Sequence, residues 1–228
     1  MLAIVVPAYN EEVSIGRTVE SLRKSFPKAK VIVVDDGSKD GTREIALKSG
    51  AILYSHIINR GLGATLGTGI KAALKENADI IVTFDADLQH KAADIERLIR
   101  PIRDGRADAV IGSRFMKHED LRGMPRVKVI GNTFLTGLTN FLAGSDITDS
   151  QSGLRAFDRI AAQKLLILCD RYDVSSEIVH ELSVNRLKVI EIPIKAIYDK
   201  RSKTKGTNVW SGVHITWGLM LRRLGLKK

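Results

Sequence analysis

The chain has 228 residues, 44% of them hydrophobic, and a net charge of +10. That length and apolar content support one large core and exclude a disordered or fibrous chain. The single cysteine, Cys169, excludes an internal disulfide, and its apolar setting in KLLILC predicts a reduced, buried thiol.

The charge is unevenly placed. Residues 195–228 hold nine Lys or Arg and one Asp, so this stretch carries +8 and the remainder only +2. A basic tail on a near-neutral body points to an anionic partner surface. MLAIVVPAYNEE opens apolar but has no basic leader. No run approaches the ~18 apolar residues of a membrane span. The expected place is therefore the cytoplasm, with peripheral contact to the cytoplasmic face of a membrane.

In chain order, LAIVVPAY (2–9) predicts a buried strand and residues 12–26 a helix. KVIVVDDGS (30–38) predicts a second strand, and DGTREIALKSG a helix closed by Gly50. AILYSHI is a third strand, GATLGTGIKAALKEN a helix, DIIVTFDAD a fourth strand, AADIERLIRPIRDG a helix and DAVIGSR a fifth strand. Residues 126–144 read as a long helix. SGLRAF and KVIEIPIKAIY read as strands, with helices over 159–169 and 175–186. This alternation predicts an α/β fold, a mainly parallel sheet with helices on both faces.

In such sheets ligands sit at the carboxyl ends of strands. The polar clusters fall at those ends: Tyr9-Asn10-Glu11, Asp35-Asp36-Gly37-Ser38, Asp85-Ala86-Asp87 and Ser113-Arg114. On an extended strand Asp85 and Asp87 would share a side, about 6.6 Å apart. With the Gln89 amide they make an all-oxygen set suited to Mg²⁺ or Mn²⁺, with water and substrate phosphates completing the shell. Asp36 is placed to accept hydrogen bonds from a nucleotide base or ribose. Gly61, Gly63, Gly67 and Gly69 suggest a dinucleotide turn, but the spacing is G-x-G-x-x-x-G rather than G-x-G-x-x-G.

Taken together, VVPAYNEE, VIVVDDGSKDGT, NRGLG, FDADLQH, IGSRF and SGLRAF resemble, in order, a family 2 glycosyltransferase of the GT-A fold. The likeness spans roughly residues 1–200 and is greatest to dolichyl- or polyprenyl-phosphate hexosyltransferases, particularly the mannosyl type. It implies transfer of a hexose, mannose from GDP-mannose first, to a polyprenyl phosphate, with inversion. It implies that Pro7, Tyr9, Glu11, Val34 and Asp36 hold the nucleotide. Asp85 and Ala86 would line the donor site, and Asp87 and Gln89, with Asp85, would hold the metal. Arg114, with Arg126 and Lys128, would meet phosphate. Arg201, with Lys203 or Lys205, matches a basic loop that closes over the donor.

Two stretches depart from the mannosyl pattern. RVKVIGN has Ile130 or Asn132 where a serine is expected, and DSQSGLRAF resembles the UDP-glucose type. A sugar-hydroxyl acceptor would require a base, with Asp149 or Asp146 as candidates. A phosphate acceptor requires none.

The domain reading is 1–207 for the transferase and 208–228 for a basic amphipathic helix. Trp210, Val213, Trp217, Met220, Leu221 and Leu224 fall within about 100° of a helical wheel. That stripe suits a membrane surface or a membrane-spanning partner subunit. The tail lacks regularly interleaved aromatics, which argues against nucleic acid.

Overall fold

The computed structural model describes residues 1–117, 121, 123–169 and 174–198. Seven strands form one sheet: β1 (Leu2–Ala8), β2 (Lys30–Asp35), β3 (Ile52–Ser55), β4 (Ile80–Thr83), β5 (Ala109–Ser113), β6 (Arg155–Asp158) and β7 (Val189–Pro193). Their order is β3-β2-β1-β4-β6-β5-β7. Only β6 runs antiparallel to its neighbours, so the carboxyl ends of the other six share one edge with the start of β6.

The strands are short and rich in Val and Ile because both faces are covered. Ala3 through Val6 of β1 are fully buried. On one face, α1 (Ile15–Ser25), α2 (Thr42–Lys48) and α4 (Asp94–Arg103) bring Ile15, Leu22, Ile95 and Leu98 onto the sheet. On the other face lie α3 (Leu62–Lys75), α6 (Arg159–Lys164) and α7 (Val174–Val184), with Leu66, Ile70, Ala161 and Ile178 inward. The remaining helix, α5 (Arg126–Ala143), packs on α7. Among the described residues no helix is long and apolar enough to cross a membrane.

Two sequence expectations change. The helix expected over 159–169 stops at Lys164, because the chain turns extended at Leu165 (φ −68°, ψ 109°). Cys169, beyond it, is partly exposed rather than buried. The expected helix 208–228 lies outside the described residues.

The glycine-rich stretch has a packing explanation. A Cβ on Gly69 would lie 2.2 Å from Val5 Cγ1, so α3 sits on β1 closer than any side chain allows. Gly69→Ala should therefore lower stability by up to about 2 kcal/mol in urea denaturation. Overpacking of about 1–3 kcal/mol outweighs the roughly 1 kcal/mol gained in helix propensity.

Candidate functional site

The shared strand edge gathers most of the expected residues. On the β1–β2 side, Tyr9 lines an open cleft of about 670 Å³ with Asp35, Ser38, Ser55 and Asn59. Pro7 is paired in register with Val34. The Val34 side chain is fully buried in the core, so only its backbone can serve a nucleotide. Glu11 is nearly buried; its carboxylate accepts the Ser14 hydroxyl at 2.6 Å and its N–H donates to Thr42 Oγ1 at 2.7 Å.

Asp36 is less available than its position suggests. Its carboxylate accepts His56 Nδ1 at 2.7 Å, Arg60 N at 2.9 Å and Gly61 N at 2.7 Å. Three of roughly four acceptor positions are thus used, leaving one for a ligand. Its main structural task is to shape the loop before α3. That loop crosses Gly37 so closely that a Cβ there would lie 2.8 Å from the Ile58 carbonyl carbon.

The acidic pair is brought together differently from the sequence expectation. β4 ends at Thr83, before either aspartate. Asp85 and Asp87 sit in the turn that follows, so the pleat spacing does not apply. Leu88 holds the turn with φ +64°, a conformation costing about 1–3 kcal/mol that recurs at functional sites. Thr83 Oγ1 donates to the Gly153 carbonyl at 2.7 Å, tying the turn to the start of β6.

Asp85 packs against Gly153, where a Cβ would lie 2.1 Å from Oδ2. His90 Nε2 donates to that same oxygen at 3.2 Å. Desolvation works against the Asp85 charge, but the His90 hydrogen bond and the charges of Arg155 and Arg114 hold its carboxyl below the usual range. Asp87 goes the other way: burial, and then the charge of Asp85, push it up to about 6. Glu11 adds to this repulsion. The Gln89 backbone N–H donates to Asp87 Oδ1 at 3.1 Å, and its amide folds onto Oδ2. Ala86 is buried, and its carbonyl accepts Thr18 Oγ1 at 3.0 Å.

These oxygens fit a hard divalent ion. Asp87 is a half-buried carboxylate beside a second carboxylate and an amide, the donor chemistry that Mg²⁺ or Mn²⁺ takes. Among the described residues no three His, Cys, Asp or Glu side chains form a complete cluster. The protein offers part of a coordination shell, and other oxygens must supply the rest.

Across the site stand the cations. Arg114 donates from Nε and Nη2 to Asp149 at 2.7 and 2.9 Å, and its backbone N–H to Asp149 at 3.1 Å. Desolvation opposes its charge, yet the Asp149 carboxylate holds its pKa above the usual value. Arg114 is therefore a fixed cation rather than a swinging arm. Asp149 is fully buried with both oxygens engaged, which removes it as a general base. Asp146 is exposed and lines a separate cavity of about 450 Å³. Lys128, at the start of α5, lies close enough to sense both Asp87 and Arg114; burial lowers its pKa and Asp87 partly restores it. Arg126, on the same turn, is exposed. Arg201, Lys203 and Lys205 lie outside the described residues.

Sequence reasoning gave no role to three residues here. Arg155 is buried beside Asp85 and Asp149, Gly153 seats Asp85, and the Tyr198 hydroxyl lies against Arg114. Arg155 and Gly153 stand inside the quoted SGLRAF motif. Tyr198 carries no local signal, since only the fold brings the exit of β7 to this edge.

Comparison with known proteins identifies the family and the fold. The sequence profile described as Glycosyl transferase family 2 matches residues 3–166. An uncharacterised protein of Methanocaldococcus jannaschii is 48% identical over 97% of this chain and 91% of its own length. The UDP-N-acetylglucosamine–dolichyl-phosphate N-acetylglucosaminyltransferase of Methanococcus voltae is 37% identical over 99% of this chain and 97% of its own. The polyprenol monophosphomannose synthase of Mycolicibacterium smegmatis is 28% identical over 95% and 86%. The fold matches Mycobacterium tuberculosis glucosyl-3-phosphoglycerate synthase, solved with Mn²⁺ and UDP-glucose, at TM-score 0.74 and 20% identity over 100% of this chain and 80% of the other.

The Gly153 contact makes a test. Gly153→Ala should displace the Asp85 carboxylate and lower transfer activity about 10²-fold, the scale of a 1 Å misplacement. Circular dichroism should show the fold retained.

Proposed function

This chain belongs to glycosyl transferase family 2, and we propose that it moves a sugar from a nucleoside diphosphate to a polyprenyl phosphate. The observation that carries this reading is the pairing of an acidic turn with fixed cations. Lys128 lies close enough to Asp87 and Arg114 for its charge to feel both, so a donor's diphosphate and an acceptor's phosphate would meet between them.

The base and ribose would lie in the cleft beside Tyr9, with the diphosphate running towards Asp85 and Asp87. A divalent ion held by Asp87, Gln89 and Asp85 would neutralise the charge that develops on the leaving diphosphate. Arg114 and Lys128 would orient the acceptor phosphate behind the sugar for in-line attack, which inverts the anomeric centre. A phosphate monoester, with a second pKa near 6, is already mostly dianionic at neutral pH and needs no base. The engagement of Asp149 by Arg114 favours that acceptor over a sugar hydroxyl.

The donor first expected from the sequence is GDP-mannose. The named relatives favour UDP-N-acetylglucosamine ahead of it, because the one using that donor is 37% identical against 28% for the mannose enzyme. UDP-glucose is the third candidate. Purified protein incubated with each labelled donor, Mn²⁺ and polyprenyl phosphate should yield an organic-soluble product with one of them. No product from any donor would remove this reading. Asp87→Ala should abolish turnover, as should a chelator, with added Mn²⁺ restoring activity only to the native protein.

The acceptor lipid implies a membrane surface. Val127, Ile130, Phe134 and Phe141 of α5 are 75%, 69%, 67% and 72% exposed, at helical spacing on one side. With Arg126 exposed at its start, this stripe suits a helix lying on anionic lipid. The basic segment 208–228, or a membrane-spanning partner, would strengthen the contact. The double substitution Ile130→Ser/Phe134→Ser should reduce sedimentation with anionic vesicles. Unchanged sedimentation would leave α5 out of membrane binding.

A further inference from the structure

Glu191 lies on β7, at the edge of the sheet, and belongs to none of the sequence motifs. Its carboxylate nevertheless reaches a loop more than forty residues earlier in the chain. Thr148 N–H donates to its two oxygens at 3.0 and 2.8 Å, Thr148 Oγ1 to Oε1 at 2.9 Å, and Asp149 N–H to Oε1 at 3.1 Å. Asp149 in turn receives Arg114 through three contacts of 2.7–3.1 Å. Two carboxylates therefore act in series, the first fixing the backbone of the second.

A second path meets the same point. β5 and β7 are paired with Ile111 opposite Glu191 and Ser113 opposite Pro193. Ser113 Oγ and Thr148 Oγ1 are 2.6 Å apart, and Ser113 is next to Arg114 in the chain. Thr148 is thus held by Glu191 on one side and by the root of Arg114 on the other.

We propose that Glu191 is a positioning residue for the transfer reaction: it fixes the Thr148–Asp149 backbone and, through Asp149, the direction of the Arg114 guanidinium. The role rests on the transferase reading above. Water or nearby backbone could satisfy two loop N–H groups equally well if only folding were at stake. An ionised acceptor from the edge strand makes shorter, stronger bonds and sets one geometry. Oε1 alone takes three of the four contacts, so an amide in its place retains most of the clamp.

That asymmetry gives the experiment. Glu191→Ala should lower kcat about 10²-fold, with the donor KM changed by less than about twofold. Glu191→Gln should recover most of the lost rate. In an Arg114→Ala background, Glu191→Ala should cost little more, because residues acting through one another are not additive. An independent readout is the Arg114 Nε–H signal in ¹⁵N-arginine-labelled protein. Its protection from exchange should be lost in Glu191→Ala and kept in Glu191→Gln. Unchanged Nε–H protection, or an equal rate loss with and without Arg114, would overturn the proposal. Should Glu191→Ala fail to fold, Thr148→Ala with Glu191→Gln removes two of the four contacts together with the Ser113 link; a smaller loss of rate and of Nε–H protection is then expected, and no loss of either overturns the proposal. If native protein turns over no donor, the transferase reading falls, and the Nε–H measurement still decides the role of Glu191.

Discussion

Arg155 carries a full charge where almost no water reaches. It is 1% exposed, its Nη2 donates to the Ser150 carbonyl at 2.8 Å, and among the described residues its Nε finds no partner. Burial lowers its pKa and Asp85 and Asp149 partly restore it, leaving it at about 10. The two carboxylates are the opposite charges that favour the cation. Arg155 therefore couples Asp85 at the acidic turn and Asp149 at the Arg114 side through its charge. It can do so because β6 runs opposite to its neighbours and begins where they end.

The donor side is built separately. His56 bridges Asp36, through Nδ1 at 2.7 Å, and Thr68 Oγ1, through Nε2 at 3.0 Å. A carboxylate only accepts, so Nδ1 carries the proton and Nε2 accepts from the threonine in the neutral ring. This chain runs from β2 through the end of β3 into α3. It contains none of the residues around Arg155. On the proposed reading the first would serve the donor and the second the acceptor, which would let the two vary independently on one sheet.

Much of this was legible in the sequence. Runs of Val and Ile made β1, β2 and β4 readable as buried strands, and the remaining four were read from shorter apolar runs; the clusters at the carboxyl ends were readable too. The exact end of β4 was not, because Phe84 continues the apolar run while the backbone has already turned. The Asp36 network was hidden for a different reason. Its partners Arg60, Gly61, His56 and Thr68 are ordinary residues until the β3–α3 loop folds over Gly37. Asp149 read as a free base because nothing local announces Arg114, which lies 35 residues earlier in the chain. Long-range ion pairs of this kind are decided by strand order, and β6 inserting between β4 and β5 is the one step that alternation of strand and helix does not forecast.

Charge sets a further condition on any reaction here. Glu11, Asp85, Asp87 and Asp149 meet Arg114, Arg155 and Lys128, four carboxylates against three cations, and after burial the charge of Asp85 is the next cause of the raised pKa of Asp87. Into this set must come a diphosphate and, on the proposed reading, a second phosphate. Two like charges 4 Å apart repel by about 4 kcal/mol at an effective dielectric of 20. Lys128 and the remaining Arg114 donors cannot offset several such terms while also serving Asp87 and Asp149. Added positive charge has to arrive with the substrates. On the proposed reading one source would be a divalent ion entering with the donor at the acidic turn. On that same reading the basic residues Arg201, Lys203 and Lys205, which follow Tyr198 and Asp199 in the sequence, would be another. Because each phosphate draws in the cations that the other requires, donor and acceptor should bind with positive cooperativity rather than compete.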